Sequence, residues 1–142
     1  MVYEGLRFDH PDGKYRFPTD LHEEPAPPDG FPFRLLTLIR REVIHSQILP
    51  EKHHTVPTVW VAPDHHGLDG LDLERDVFLS SPLGRIRVRV EIMPGLHPEV
   101  VLYRRGDWMK LGGGVNRLIP AGLTDLGRCA PYYQACAKLA ND

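Results

Sequence analysis

Histidines and cysteines are the residues of this sequence that could hold a metal ion. The eight histidines include two adjacent pairs, His53-His54 and His65-His66. Adjacent side chains point apart on a strand and on a helix, so such a pair rarely offers two ligands to one ion. No second cysteine pair accompanies Cys129 and Cys136 at zinc-ligand spacing. The sequence therefore predicts solvated loop histidines instead of a metal centre, and free cysteines that serve as small core residues.

Motifs of nucleophilic catalysis are absent from the sequence. It contains no Gly-x-Ser-x-Gly elbow, no Ser-x-x-Lys and no Gly-Ser dipeptide of the kind that self-processing pyruvoyl barrels need. A triple glycine at 112–114 would let the backbone approach a ligand closely and free amide donors for a phosphate. It is not a P-loop, because no lysine followed by Ser or Thr comes after it. A flexible turn is the alternative interpretation of the glycines. The absence of these catalytic motifs, together with a glycine-rich segment that suits ligand contact, indicates a binding module.

Composition limits the classes of protein to which the chain can belong. Its 142 residues suit one domain, and 42% hydrophobic with 25% charged residues is ordinary for a globular protein. A formal charge of −2 and a pI near 6.4 argue against a general nucleic-acid binder. No apolar run could span a bilayer and no signal peptide is evident, so we expect no membrane contact and a reducing cytoplasm. Fourteen prolines and thirteen glycines favour a β-rich fold with many turns.

Residues 76–104 are predicted to form a meander of three strands. In 85–92 every odd position is charged and every even position is a β-branched apolar residue, which is typical of a strand with one wet and one buried face. Turns at Pro82-Leu83-Gly84 and Pro94-Gly95 would separate this strand from its neighbours.

The remaining elements are shorter. The apolar run 33–39 predicts a strand buried on both faces, and 58–61 predicts a second strand followed by a short helix that starts at Pro63 and Asp64 and stops at the glycines Gly67 and Gly70. A closing strand is predicted at 133–139. Residues 1–32, with a proline-rich linker at 25–30 and a brief strand at 15–17, are predicted to form an arm that leads into a domain at 33–142.

Several segments, taken in order, resemble the C-terminal dinucleotide-binding domain of the molybdopterin oxidoreductases, the superfamily of dimethyl sulfoxide reductase, formate dehydrogenase and nitrate reductase. They cover nearly the whole chain. The segments are 12–17 (DGKYRF), 31–37 (FPFRLLT), 43–47 (VIHSQ), 59–64 (VWVAPD), 80–84 (SSPLG), 114–118 (GVNRL) with Thr124-Asp125, and 131–136 (PYYQAC).

The resemblance implies a fold that is mainly β with a few short helices, namely a six-stranded double-psi β-barrel. It also implies that the domain holds one half of a molybdopterin guanine dinucleotide. The loop after the first strand would wrap pterin and pyrophosphate, and later segments would complete the site. Asp125 could accept hydrogen bonds from the N–H groups of guanine, and a helix-capping or turn role for this residue is an equal alternative. The implied cofactor-binding residues are Thr37, Arg41, His45, Ser46, Gln47, Gly113, Asn116, Asp125 and Gln134.

The resemblance further implies a domain that is not catalytic alone. Redox chemistry would take place at molybdenum or tungsten held by a parent oxidoreductase, whose catalytic domains or subunits would be the partners of this domain. We expect the chain to be a fragment of that enzyme, with a naturally separate small subunit as the alternative.

Two other functions remain open at this point. One is a protein-interaction barrel that has lost the cofactor. Leu38-Ile39, at a position where the family often has Gly-Arg, favours this alternative, whereas His45-Ser46-Gln47 and Asn116 favour cofactor binding. The other is a small metal-dependent hydrolase built on the histidines.

Overall fold

Six strands close into a barrel in the computed structural model of the chain, which describes residues 4–20, 26–44, 47–53, 56–111, 114–124 and 127–142. The only helical segments of that part of the chain are short 3₁₀ turns. The predicted mainly β fold with six barrel strands is confirmed. The strands are β1 (Phe33–Leu38), β2 (Thr58–Val61), β3 (Val77–Ser81), β4 (Gly84–Ile92), β5 (Val100–Arg104) and β6 (Cys136–Asn141); the 3₁₀ turns are Glu4–Leu6, Pro50–Lys52, His66–Leu68, Met109–Leu111 and Val115–Arg117.

The strand order around the barrel is β1-β5-β2-β4-β3-β6, with β6 returning to β1. Two of the connections join strands that are not neighbours in the barrel, because a third strand lies between them. Residues 39–57 join β1 to β2 past β5, and residues 93–99 join β4 to β5 past β2. β1 runs parallel to β5, and β2 runs parallel to β4. These two interlocked crossings are the double-psi topology that the resemblance implied.

The predicted meander is wrong in its second half. β3 and β4 form the expected antiparallel hairpin, with Ser81 opposite Gly84 across the turn. β5 does not pair with β4, because β2 lies between them. The connection at 93–99 is longer than a tight hairpin loop and so can cross the end of β2. Alternation of side chains identifies the buried face of a strand but carries no information about its neighbours.

The barrel interior is filled by alternate residues of each strand. On β4, Ile86 and Val88 are buried while the intervening arginines are exposed, as predicted. On β1, Phe33, Leu35 and Thr37 are buried, but the residues between them are only half-buried. The prediction of a strand buried on both faces is therefore wrong, since a strand of a small barrel has one face inside and one outside.

Element boundaries differ from the predictions at three places. β6 begins at Cys136 and not at Tyr133, because residues 131–134 form a turn in which the Gln134 N–H donates to the Pro131 carbonyl. The helical turn after β2 begins at His66 and not at Pro63. Residues 15–17 do not form a strand; the Tyr15 ring instead packs edge-on against Phe8 and Phe17.

The prediction of solvated histidines is wrong for His65, which is 1% exposed. Its Nδ1 accepts a hydrogen bond from the Gly67 N–H at 3.0 Å, and its ring lies 4.0 Å from that of Phe33. Burial, followed by the neighbouring His66, lowers the pKa of His65, so the imidazole packs in its neutral form. Of the two free thiols, Cys136 is buried as predicted and Cys129 is exposed. Within the described ranges no helix is long and apolar enough to cross a bilayer.

Candidate functional site

Polar loops from three parts of the chain meet at one end of the barrel. Because β1 and β5 are parallel, Leu38 and Arg104 lie side by side where the two strands end. The Thr37 hydroxyl donates to the Tyr132 carbonyl at 3.0 Å, which brings the segment before β6 to the same place. This end of the barrel therefore collects the loop after β1, the loop after β5 and residues 131–134.

Three adjoining clefts run across this end. The first has a volume of about 420 Å³ and is lined in part by Arg40, Arg41, Trp60 and Arg104. The second and third have volumes of about 360 Å³ each. Asp107 lines the first and the second, whereas Asn116 and Tyr132 line the second and the third. The shared residues make the three clefts one extended surface.

Asp107 is the wall between the first two clefts, and its side chain is only 2% exposed. Its Oδ1 accepts from the Arg40 guanidinium, and its Oδ2 accepts from the Tyr103 hydroxyl at 2.7 Å. Arg40 also donates to the Lys52 carbonyl at 3.1 Å, so the carboxylate ties the loop after β1 to the end of β5. Burial, and then the bond to Asp107, raise the pKa of Tyr103, which keeps its hydroxyl protonated as a donor.

His53 belongs to the same buried cluster. Its Nδ1 accepts from the Trp108 N–H at 3.2 Å and lies 3.5 Å from Asp107 Oδ1, and its side chain is 3% exposed. The prediction of a solvated loop histidine is therefore wrong here as well. Its neighbours in the cluster come from a different loop, which the sequence does not place beside it.

Gly114, at the end of the triple glycine, has a backbone that only glycine adopts easily. Its φ is +134°, and a Cβ atom built there would lie 2.9 Å from Met109 Cγ. The Gly114 backbone hydrogen-bonds to the Tyr103 hydroxyl, and the residue leads directly into the turn Val115–Arg117. Gly114 thus allows the turn that places the exposed residue Asn116 beside the clefts.

Replacing Gly114 with Ala should destabilise the protein by more than about 1 kcal/mol, because the new methyl group adds a clash to the strain of a positive φ. Urea unfolding followed by circular dichroism measures the change. Gly95→Ala is the matched control, since Gly95 also has a positive φ but nothing within 4 Å of an added Cβ. Equal costs for the two variants would show that the close approach at Gly114 is unimportant.

Residues 42–137 match the family described as the molydopterin (molybdopterin) dinucleotide binding domain, and this match covers more than half of the chain. The chain belongs to this family. The match, together with the barrel, supports a cofactor-binding domain and does not favour an interaction barrel that has lost its ligand.

Among solved structures, the molybdopterin dinucleotide binding domain described here is similar to acetylene hydratase from Pelobacter acetylenicus. The TM-score is 0.59 at 14% sequence identity, with 86% of this chain and 21% of that chain covered. At this identity the likeness concerns the fold. The chain thus spans about a fifth of the length of that structural relative. No curated protein matches the chain.

The structure of this dinucleotide-binding domain brings together some of the residues that the resemblance implied. Arg41 lines the first cleft and Asn116 lines the other two. Thr37 is fully buried, with its hydroxyl bonded to the Tyr132 carbonyl, so it shapes the site from beneath. Gln47 and Gln134 are exposed and line none of the three clefts; Gln134 precedes β6 and is not in it. His45, Ser46, Gly113 and Asp125 lie outside the described residues.

Sequence reasoning missed four residues that build this end of the domain, namely Arg40, Arg105, Asp107 and Tyr132. A usable signal was present for three of them. Arg40 after β1, and Arg105 and Asp107 after β5, stand in polar segments that follow a buried strand, and loops at strand ends often carry binding residues.

Proposed function

We propose that this domain holds the guanine form of the molybdopterin dinucleotide along the three adjoining clefts, within a larger molybdenum or tungsten oxidoreductase. The observation that carries this proposal is the continuity of the clefts. A dinucleotide is elongated and carries a charged bridge between two planar ring systems. A single extended surface suits such a ligand when arginines line its first cleft, Arg105 lines its middle cleft, and polar or aromatic groups lie further along.

The chemistry of the lining residues fits the cofactor. Arginine guanidinium groups match phosphate oxygens, and the Asn116 amide can both donate to and accept from a base edge. The Tyr132 ring is 40% exposed and offers a face for stacking. Nε and Nη1 of Arg105 are buried without a hydrogen-bond partner among the described residues, which is the arrangement that an anionic ligand would complete.

The bound cofactor would supply redox chemistry at its metal. The residues of this chain would bind and orient it. Catalytic domains or subunits of the parent enzyme would hold the metal, and the small share of acetylene hydratase that this chain covers supports such a parent. We place the binding domain at 33–142, where all six strands lie, and the arm at 1–32. A cytoplasmic location suits the exposed free thiol of Cys129.

Replacing Asn116 with Ala should weaken binding of GDP about 5- to 30-fold without unfolding the barrel, because one or two hydrogen bonds of ~1 kcal/mol each are lost. The measurement is an amide-resolved NMR titration with GDP. A separate titration with ADP shows whether the identity of the base matters. In the unmodified chain we expect shifts clustered on 37–47 and 112–134 with GDP only.

Arg117→Ala is the matched control, because Arg117 is exposed on the same 3₁₀ turn and lines none of the clefts. Unchanged affinity in Asn116→Ala would remove Asn116 from the site. Equal shifts with ADP would refute the guanine form. If the unmodified chain responded to neither nucleotide, the proposed function would be wrong.

A further inference from the structure

The Arg105 guanidinium is held in place with part of its hydrogen-bonding capacity unused. Arg105 follows β5 directly, and its backbone N–H donates to the Leu38 carbonyl at 2.9 Å, which extends the pairing of β1 with β5. The side chain is therefore carried on rigid backbone. Its Nε and Nη1 are shielded from solvent and have no partner in the described part of the chain.

Two neighbouring arginines of the first cleft, Arg40 and Arg104, are already engaged. Arg40 is bonded to Asp107, and Arg104 donates to the Ile39 carbonyl at 2.8 Å. Buried charged donors are normally paired, because an unpaired one loses its hydration without compensation. Arg105 thus differs from both arginines, because two of its buried donor groups have no partner among the residues that the structure describes and would suit an anionic ligand.

Tyr132 covers the guanidinium. The Arg105 carbon Cζ lies 4.4 Å from the centre of the Tyr132 ring and 6.0 Å from that of Tyr133. The backbone of Tyr132 is fixed, since its carbonyl accepts from the Thr37 hydroxyl and its N–H donates to the Ala130 carbonyl at 3.0 Å. Its side chain, by contrast, is part-exposed and can turn about χ1 without disturbing those bonds.

We propose that Arg105 is the phosphate receptor of the second cleft and that Tyr132 is an aromatic cover which turns aside when the phosphate binds. This inference rests on the proposed function, because it assigns one part of the dinucleotide, its pyrophosphate bridge, to one side chain. Cation–π contact with Tyr132 occupies the guanidinium face while the ligand is absent. Charge-assisted bonds to phosphate oxygens are stronger than that contact and would replace it.

Inorganic pyrophosphate is the cleanest probe, because it has no ring that could stack on Tyr132. We expect isothermal titration calorimetry to show at least ~10-fold weaker pyrophosphate binding by Arg105→Gln, the loss typical of one charge-assisted contact. Tyr132→Ala should bind pyrophosphate several-fold more tightly than the unmodified chain, because the cover is gone. In NMR spectra the Arg105 Nε–H signal should move on titration.

Arg85→Gln is the matched control for loss of a positive charge. Arg85 also lies over an aromatic ring, with Cζ 4.6 Å from the centre of Phe78, but it is paired with Asp142 on the outside of β4. Its replacement should leave pyrophosphate binding unchanged. Equal losses in Arg85→Gln and Arg105→Gln would mean that only the overall charge matters, and would overturn the assignment.

Thermal unfolding without ligand separates a receptor from a structural arginine. A receptor that is unpaired when empty contributes little to stability, so Arg105→Met should melt no lower than the unmodified chain. A clear fall in melting temperature would overturn the proposal. If Arg105→Gln still bound GDP and pyrophosphate normally, the receptor would be refuted while the dinucleotide site remained. If Arg105 were required for pyrophosphate but GDP and ADP bound alike, the receptor would stand and the guanine form would fail.

Discussion

Replacing Val88 with Asp is expected to unfold the barrel. Val88 is 4% exposed, sits in the core cluster and faces inward opposite Val77 of β3. A carboxylate there would be buried without a partner, and the cost of several kcal/mol is comparable with the whole stability of a small domain, about 5–15 kcal/mol. Far-UV circular dichroism and urea unfolding would show loss of cooperative unfolding at neutral pH.

Arg89→Asp is the matched control for this variant. It introduces the same side chain one position further along β4, where the residue points outward and is exposed. We expect it to fold with nearly unchanged stability. A folded Val88→Asp protein together with an unfolded Arg89→Asp protein would mean that the two faces of β4 are interchanged.

Removing the Asp107 carboxylate should have the second-largest effect on the stability of the domain. In Asp107→Ala the Arg40 guanidinium loses its anionic partner and the buried Tyr103 hydroxyl loses its acceptor. Breaking a buried pair from one side typically costs about 3–5 kcal/mol. Because Asp107 also separates the first two clefts, GDP binding should weaken together with stability. Urea unfolding and nucleotide titration of the same preparations measure the two effects.

Asp69→Ala provides the comparison for a carboxylate on the surface. Asp69 is 83% exposed at its side chain and lies 3.8 Å from the His66 ring, so its loss should cost little. Asp107→Asn, which keeps the shape and one acceptor oxygen, should fall between Asp107→Ala and the unmodified chain. If Asp107→Ala were as stable as Asp69→Ala, the buried cluster would not hold the two loops together.

Local patterns in the sequence were sufficient to predict most strands but not the order in which they pair. The alternation at 85–92 placed Ile86 and Val88 inside correctly because side-chain direction depends only on strand period. The neighbour of β4 depends on where the connection 93–99 crosses, and no residue in that connection encodes β2 as the partner. The same limitation led to a meander being predicted in place of a crossing.

The candidate site likewise contains residues that could be predicted from the sequence and residues that could not. Asn116 and Arg41 were identified through the order of segments that resemble a known family, and both line the clefts. The phase of β1 already indicated that Thr37 shares the inward face of Phe33 and Leu35, so its burial could have been predicted. The role of Asp107 could not, because it depends on contacts with Arg40, which is 67 residues away, and with Tyr103, whose inward direction only the closed barrel determines.

The closing of the barrel has a consequence for how the chain acquires its structure. Both neighbours of β1 are the last two strands to be synthesised, β5 and β6, and β1 meets β6 through only two residue pairs. More than sixty further residues must therefore be synthesised after β1 before a partner strand can cover its apolar residues. Such high contact order slows folding and prolongs exposure of aggregation-prone surface. Nascent chains of this domain would accordingly depend on chaperones until β5 and β6 emerge, and the narrow β1–β6 seam would be the first place to open in hydrogen exchange.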